Sequence, residues 1–330
     1  EHSFCVDYEP SDFYPDNERR TFNGFARPGG RVGTRNYIAV ISNVNCSNSV
    51  SRYVAERFRG PDFQKQFPSI DGVIALKTQG GCGIDPGGPM QIIRRTLGNM
   101  ARHPNISGYV MIGLGCEDNQ IRGIREDYDL DNLREGEIPP EFMTIQGTGG
   151  SLKTIEAAVK AGEKILPKVG GAERTEQPLS KLVLAENCGG SDGNSGCTAN
   201  PALGVASDEL VRHGGTSVLA ETTEIYGAEH LLTNRAVTPE VAEKLMRQIH
   251  WWEDYARRHD STIDNNPSVG NKEGGLTTIY EKSLGALAKG GQMVQVGLFG
   301  GELTIPTALL ALKMITIQGS FVGTLPELHE

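Results

Sequence analysis

The sequence predicts an α/β protein of two lobes, each a mainly parallel sheet flanked by helices, followed by a β-rich carboxy-terminal appendage. Two observations lead there. From Asn36 onward short apolar runs alternate with helical stretches, the βαβαβ pattern of a parallel sheet. The runs at 37–44, 73–76, 109–114 and 182–185 are each followed within a few residues by a cysteine among Gly, Asn or Ser, namely Cys46, Cys82, Cys116 and Cys188. Ligands of open parallel sheets bind outside the carboxyl ends of the strands, so cysteines recurring there point to one polar site built from distant segments.

Taken in order, residues 1–20 are rich in Asp, Glu and Pro and read as a connector. The first lobe, 21–172, holds a strand at 37–44, a helix at about 49–58, a strand at 73–76, a helix at 89–100 and a strand at 109–114. Pro89 suits a first helical turn, and His103-Pro104-Asn105 closes that helix with a breaker and a turn residue. A strand at 142–145 runs into Gly147-Thr148-Gly149-Gly150 and a helical stretch in which Leu152, Ile155, Ala158 and Ile165 share a face. Strand, glycines and helix start form an anion-binding arrangement.

The polar segment 170–181 reads as a linker, with 173–180 separating the lobes. The second lobe, 181–290, begins with LVLAEN, whose apolar run is 182–185, and the loop AENCGGSDGNSGCTANP. A helix at about 202–212, a strand at 217–220 and a charged helix at about 239–258 follow. Of Trp251 and Trp252 on that helix, one is expected to pack inward and the other to lie at an interface. The segment NNPSVGNKEGG reads as a polar loop, and 277–290 as a short helix. Residues 291–330 then turn apolar and almost free of charge.

Composition narrows the function. A net charge of -9 and a pI near 5.4, with no Lys/Arg cluster, argue against nucleic acid or an anionic membrane as the main partner. No apolar stretch approaches the roughly 20 residues that span a bilayer, and no signal-like start is present, so a cytoplasmic protein, expected to form a homo-oligomer, is the default. Six cysteines in 330 residues are too sparse for a disulfide scaffold and read as thiols, ligands or buried small side chains. The 42 glycines favour an enzyme over a scaffold, because clustered glycines let backbone approach a ligand.

The four strand-end cysteines can be metal or cluster ligands, a nucleophile, or small residues lining turns. With no CxxC pair, no structural zinc ribbon is indicated, whereas an iron–sulfur cluster fed by several loops is compatible. In the glycine-rich loop, Ser191, Asp192, Ser195 and Asn200 suit a polyhydroxylated or carboxylated ligand; capping of the next helix is the alternative. Glu221 and Glu224, just past a strand, suit metal binding or proton transfer, or else a helix cap. Lys77 and Lys272 are candidates for a substrate carboxylate, while His213 and His230 stand singly, with no HxH or HExxH pattern.

Several segments together resemble the altronate/galactarate dehydratase family of sugar-acid hydro-lyases: GFARPGGRVGTRNYIAV with VNCS, GGCG, ARHPN, GLGCEDNQ, TGGSLKTIEA, ENCGGSDGNSGCTANPALG, ETTEIYGAEHLL and NPSVGNKEGGLTTIYEKSLG. They cover about 21–290. The resemblance implies loss of water from an aldonate or aldarate to give a 2-keto-3-deoxy acid, with a divalent metal, usually iron(II). It implies metal ligands among Cys46, Cys82, Cys116, Glu117 and Cys188, catalytic groups among Asp192, Glu221, Glu224 and Lys77, and substrate contacts from Arg35, Asn36, Asn119, Ser191, Asn200, Asn271 and Lys272.

Three departures stand out. Family members carry a small histidine-rich amino-terminal domain or a separate small subunit, which is therefore an expected partner. Many have histidine where this chain has Thr78, so that either Lys77 or His103 is expected to compensate or the substrate is expected to differ. Beyond about Gly290 the sequence is similar instead to the late nucleotide-binding region of medium-chain zinc alcohol dehydrogenases. It lacks GxGxxG and the acidic ribose partner, so NAD is not expected.

Overall fold

Runs such as 38–41 and 109–112 are apolar at every position, so their strands need cover on both faces. The computed structural model describes residues 12–187, 189–276, 279, 292–296 and 316–320. The chain divides into two units, Thr21–Lys181 and Leu182–Glu330 with Glu1–Arg20. The first unit opens with β1 (Thr21–Arg27) and β2 (Arg31–Gly33), an antiparallel pair. Four strands then form an all-parallel sheet: β3 (Tyr37–Ser42), β4 (Gly72–Leu76), β5 (Ile106–Gly113) and β6 (Glu141–Thr144), ordered β4-β3-β5-β6.

Helices cover both faces. Those of this unit are α1 (Asn48–Glu56), α2 (Pro61–Gln66), α3 (Gly88–Ala101), α4 (Ile121–Asp127), the single turn α5 (Ile145–Thr148) and α6 (Ser151–Val169). Ile38, Val40, Val110 and Ile112 point to one side, where Val50 and Val54 of α1 and Ala158, Ala161 and Ile165 of α6 close over them. Ala39, Ile41, Tyr109 and Met111 point to the other, against Leu97 and Ala101 of α3 and Ile121 and Ile124 of α4. The period-2 alternation of a strand supplies both cores, each large aliphatic side chain contributing about 1.5–3 kcal/mol when fully buried.

Two expectations are corrected here. The linker segment contains β7 (Thr175–Pro178), which pairs antiparallel with β1, giving a second sheet ordered β2-β1-β7. Its sequence, TEQP, is polar and mostly exposed, so it has no apolar period to announce it. β1, interrupted by Gly24, and the three-residue β2 are also absent from the sequence prediction; each buries one apolar side chain, Phe25 and Val32, too few to show a period.

The second unit contains β8 (Val183–Glu186), α7 (Gly193–Cys197), α8 (Ala199–Arg212), β9 (Thr216–Leu219), α9 (His230–Thr233), α10 (Pro239–Arg258) and α11 (Val269–Glu273). β8 and β9 pair in parallel. The connector belongs to this unit: the Tyr14 amide donates to the Arg212 carbonyl at 2.8 Å, and the Tyr14 ring stacks on buried His213 at 4.5 Å. His213 Nδ1 accepts the Arg20 amide, so its ring serves packing. Trp251 is half exposed and meets the partly buried Trp252 edge-on, stacking also on Tyr255.

The polar segment NNPSVGNKEGG is not all loop. It holds α11, started by a capping box in which Ser268 and Asn271 satisfy each other's backbone. The helix expected at 277–290 lies outside the described residues, apart from Ile279. In the tail, β10 (Gln292–Val296) and β11 (Thr316–Ser320) pair in parallel, and the rest of 291–330 is outside the description. No helix among the described residues is long and apolar enough to cross a membrane.

Gly98 on α3 shows how closely the second core is packed. A Cβ there would meet the Tyr128 ring at 2.2 Å. Gly98→Ala gains about 1 kcal/mol of helix propensity but forces that ring aside, costing about 1–3 kcal/mol. A lower urea midpoint is expected; a higher one would mean that Tyr128 moves freely.

Candidate functional site

In the order β4-β3-β5-β6 the chain reverses direction between β3 and β5, and the crevice outside their carboxyl ends is where such sheets bind ligands. The loops there are joined by a buried polar knot. Asn43 Nδ2 donates to Glu117 Oε1 at 2.8 Å and to the Asn119 carbonyl at 2.7 Å. Asn119 Nδ2 donates back to the Asn43 carbonyl at 3.2 Å, and its Oδ1 accepts from Arg94 Nε at 3.0 Å. Glu117 also accepts the Leu114 and Gly115 amides. Gly113 permits this, since a Cβ there would lie 2.4 Å from Glu117 Oε1.

Around this knot, main-chain bonds join the three cysteine loops. The Asn45 amide donates to the Gly80 carbonyl at 2.8 Å, joining the loops after β3 and β4. The Asp118 amide donates to the Cys82 carbonyl at 2.8 Å, joining those after β4 and β5. Cys46, Cys82 and Cys116 are all free, exposed thiols. Cys46 Sγ donates to Asn45 Oδ1 at 3.3 Å; desolvation first, then the neighbouring Cys82 and Cys116 thiols, raise the Cys46 thiol above its ordinary value.

Other groups share this edge. Lys77 is exposed at the end of β4. Thr78 is buried and holds a turn: it exchanges hydrogen bonds with Asn48 and accepts the Gly80 amide on its hydroxyl. The start of α6 follows Gly149 and Gly150, both at positive φ, and the Gln146 amide donates to the Leu114 carbonyl, close to Cys116. Its first backbone amides have no partner within the helix.

Three expected substrate contacts are engaged elsewhere, two of them at the far end of the sheet and one inside the knot. Arg35 and Asn36 precede β3, about 20 Å from its other end by strand rise. Asn36 is fully buried and bonds to the Ser69 and Val169 carbonyls and to Arg27, while Arg35 pairs with Asp71 at 3.2 Å. Asn119 is in the knot, 2 % exposed, with both ends of its amide engaged. His103 also lies at the distant end, beside a cleft of about 220 Å³ lined by Arg27, Arg31 and Arg102. Each of those guanidiniums donates to a backbone carbonyl, while the Nε of Arg31 is buried without a partner.

In the second unit, Asp192 and Ser195 form a capping box that starts α7. Asn271 Nδ2 donates to the Ser191 carbonyl at 2.7 Å, and the Gly193 amide to that of Gly274, so the loops carrying Asp192 and Lys272 are joined. Asn200 is partly buried on α8, and Lys272 is exposed on α11. Glu221 follows β9 with φ 60°, and Glu224 Oε2 accepts Asn266 Nδ2 at 3.1 Å. Cys188 lies outside the described residues.

One group escaped sequence reasoning. Tyr226 Oη donates to Glu253 Oε1 at 2.9 Å, and His250 Nδ1 lies 2.9 Å from Glu253 Oε2, beside a cleft of about 460 Å³ that His230 and Asp264 also line. The available signal was the i, i+3 spacing of His250 and Glu253 on α10. Bonds from His250 and then Tyr226 hold the Glu253 carboxyl below its ordinary value. A depressed carboxyl stabilises the fold above its unfolded-state pKa and loses that effect as pH falls through the folded value.

Comparison with known proteins gives two family matches: the second domain of D-galactarate dehydratase/altronate hydrolase over residues 24–170, and the carboxy-terminal D-galactarate/altronate dehydratase domain over 179–305. The second match continues past Gly290, farther than the sequence motifs extend the resemblance. Among curated relatives, altronate dehydratase of Bacillus subtilis (strain 168) is 38 % identical over 275 residues, 83 % of this chain and 53 % of the relative. Galactarate dehydratase (L-threo-forming) of Escherichia coli (strain K12) is 38 % identical over 285 residues, 84 % of this chain and 54 % of the relative. The (2R)-sulfolactate sulfo-lyase subunit beta of Chromohalobacter salexigens is 32 % identical over 281 residues, 84 % and 66 % respectively. The chain spans about half the length of the two dehydratases.

Two measurements test the geometry. Glu117→Gln replaces an acceptor-only carboxylate with an amide, and a loss of about 1–3 kcal/mol is expected in chemical denaturation. Tyr226→Phe removes one donor from Glu253, so its carboxyl should titrate higher by NMR. An unchanged titration would mean that the bond is not formed in solution.

Proposed function

Since the chain belongs to the D-galactarate/altronate dehydratase family, we propose that it carries catalytic machinery for dehydrating a sugar acid of the altronate or galactarate kind to a 2-keto-3-deoxy acid. The observation that carries this reading is the carboxyl edge of the four-stranded sheet, where three thiol-bearing loops and the start of α6 meet within the first family match.

Such a reaction breaks a C–H bond next to the carboxylate and the C–O bond on the neighbouring carbon. A base takes the proton, an acid assists the hydroxyl as it leaves as water, and the enol product rearranges to the keto acid. Negative charge grows on the substrate carboxylate as the proton departs, so fixed donors there matter most. The α6 amides and the Lys77 ammonium are suited to that task. Within the second unit taken by itself, Asp192, Glu221 and Glu224 are the carboxylates suited to proton transfer, and Ser191, Asn200, Asn271 and Lys272 are suited to a hydroxyl-rich ligand.

The family resemblance implies iron(II). A lone iron(II) ion favours imidazole and carboxylate ligands. At this edge the groups are the three thiols, the exposed Asp118 carboxylate and Glu117, whose carboxylate is already held by three donors. Among the described residues no group of three or more His, Cys, Asp or Glu side chains is arranged for one ion. These residues do not fit a lone iron(II), and no step is assigned to one. A small partner subunit or domain is part of the proposal; the name of the Chromohalobacter relative, a subunit beta, supports it.

The test is keto-acid formation from a panel of aldonates and aldarates, with the chain alone and with a relative's small domain supplied. Altronate or galactarate should react in at least one arrangement. No keto acid under either condition overturns the proposal.

A further inference from the structure

We propose that the cleft at the amino-terminal end of the β4-β3-β5-β6 sheet binds a compact oxyanion with two or more negative charges, held by Arg27, Arg31, Arg102 and Lys168. The site lies within the first unit by itself, at the opposite end of β3 from the thiol-bearing loops, and does not rest on the dehydratase reading.

The backbone forces two of these cations together. Pro28-Gly29-Gly30 turns β1 into β2 with both glycines at positive φ, which sets Arg27 and Arg31 directly opposite each other in the antiparallel pair. Like charges facing across a ladder repel. Arg102, just past α3, and Lys168, in the last turn of α6, line the same cleft, and Glu137 is the one carboxylate among the described residues that line it. Four cations thus meet a single acid.

Capping of helix ends accounts for only part of this. Arg31 donates to the Arg102 carbonyl, Arg27 to that of Pro104 at 2.8 Å and Arg102 to that of Tyr128 at 3.1 Å, and cations suit the carboxyl ends of helices such as α3 and α4. A carbonyl carries no net charge, however, and each guanidinium has five N–H groups. Among the described residues Arg27 and Arg102 make no ion pair, whereas Arg35, Arg52, Arg94, Arg122 and Arg125 of the same unit each pair with a carboxylate. Arg31 lies 3.6 Å from Glu137, and its Nε is buried with no hydrogen-bond partner among the described residues. A buried donor without a partner is costly, so the cleft is short of an acceptor. The cations also depress one another: burial first and then Arg31 lower the Arg27 guanidinium from its ordinary value, and burial first and then Arg134 lower Arg31, with Glu137 opposing.

The chemistry selects the occupant. Guanidiniums match the paired oxygens of carboxylate and phosphate groups bidentately. A volume of about 220 Å³ is below the roughly 300–1,000 Å³ of sites for drug-sized ligands, so the occupant is small. With four cations against one carboxylate, a dianion fits better than a monoanion.

The test titrates the full chain with inorganic phosphate and, separately, with malonate at constant ionic strength, read by calorimetry and by the urea midpoint. One saturable site per chain and a midpoint that rises with anion concentration are expected. Arg31→Lys keeps the charge but loses the planar fork, and Lys168→Gln alters an exposed side chain; each should weaken binding about 10- to 100-fold with unchanged circular dichroism. If Arg31→Lys fails to fold, Lys168→Gln decides. Lys77→Gln, at the opposite edge, should bind as the parent chain does. Binding of phosphate alone assigns a phosphoryl group, and binding of malonate alone a dicarboxylate. No saturable binding of either, binding unchanged in either folded cleft variant, or binding abolished by Lys77→Gln overturns the site.

Discussion

The buried Glu117 carboxylate is the constraint on which the chemistry of the first unit depends. It is 2 % exposed, and a charge removed from water to that degree is tolerable only when its oxygens are fully hydrogen-bonded. Asn43 from the end of β3 and the amides that follow β5 provide those bonds. Bonds to a charged group contribute about 1.5–3 kcal/mol each, more than neutral ones, so the loop cannot drift without exposing a strong penalty. Arg94 extends the same knot to α3 through Asn119.

That knot works because the sheet beneath it is rigid. Two separate cores clamp β3 and β5 from opposite faces, and neither strand has an edge open to solvent. The loops at the carboxyl ends are therefore short extensions of a fixed base, and small backbone bonds suffice to set their spacing. The second unit follows the same plan on a smaller scale, with Glu221 and the glycine-rich loop leaving the carboxyl ends of the parallel pair β8 and β9.

Much of this was legible in the sequence where burial imposes a period. Residues 38–41 and 109–112 could only be central strands, and α6 announced itself by Leu152, Ile155, Ala158 and Ile165, although Leu152 proves to be largely exposed. The antiparallel strands left no such trace: β7 is mostly exposed and has no apolar face to repeat, and β1 and β2 bury only Phe25 and Val32. Site residues divided along similar lines. The cysteines were marked by their position after strands, but residue type alone could not separate Asn36 and Asn119, which brace backbone, from polar groups open to a ligand. Glu253 and His250 were hidden in a charged helix face whose partner, Tyr226, is distant in sequence.

The bonds that join the cysteine loops run between main-chain atoms, from the Asn45 amide to Gly80 and from the Asp118 amide to Cys82. A mutation at a neighbouring side chain such as Gln79 or Asp85 leaves those bonds in place. Such a scaffold lets lineages exchange the groups that greet a substrate while the sulfurs keep their spacing.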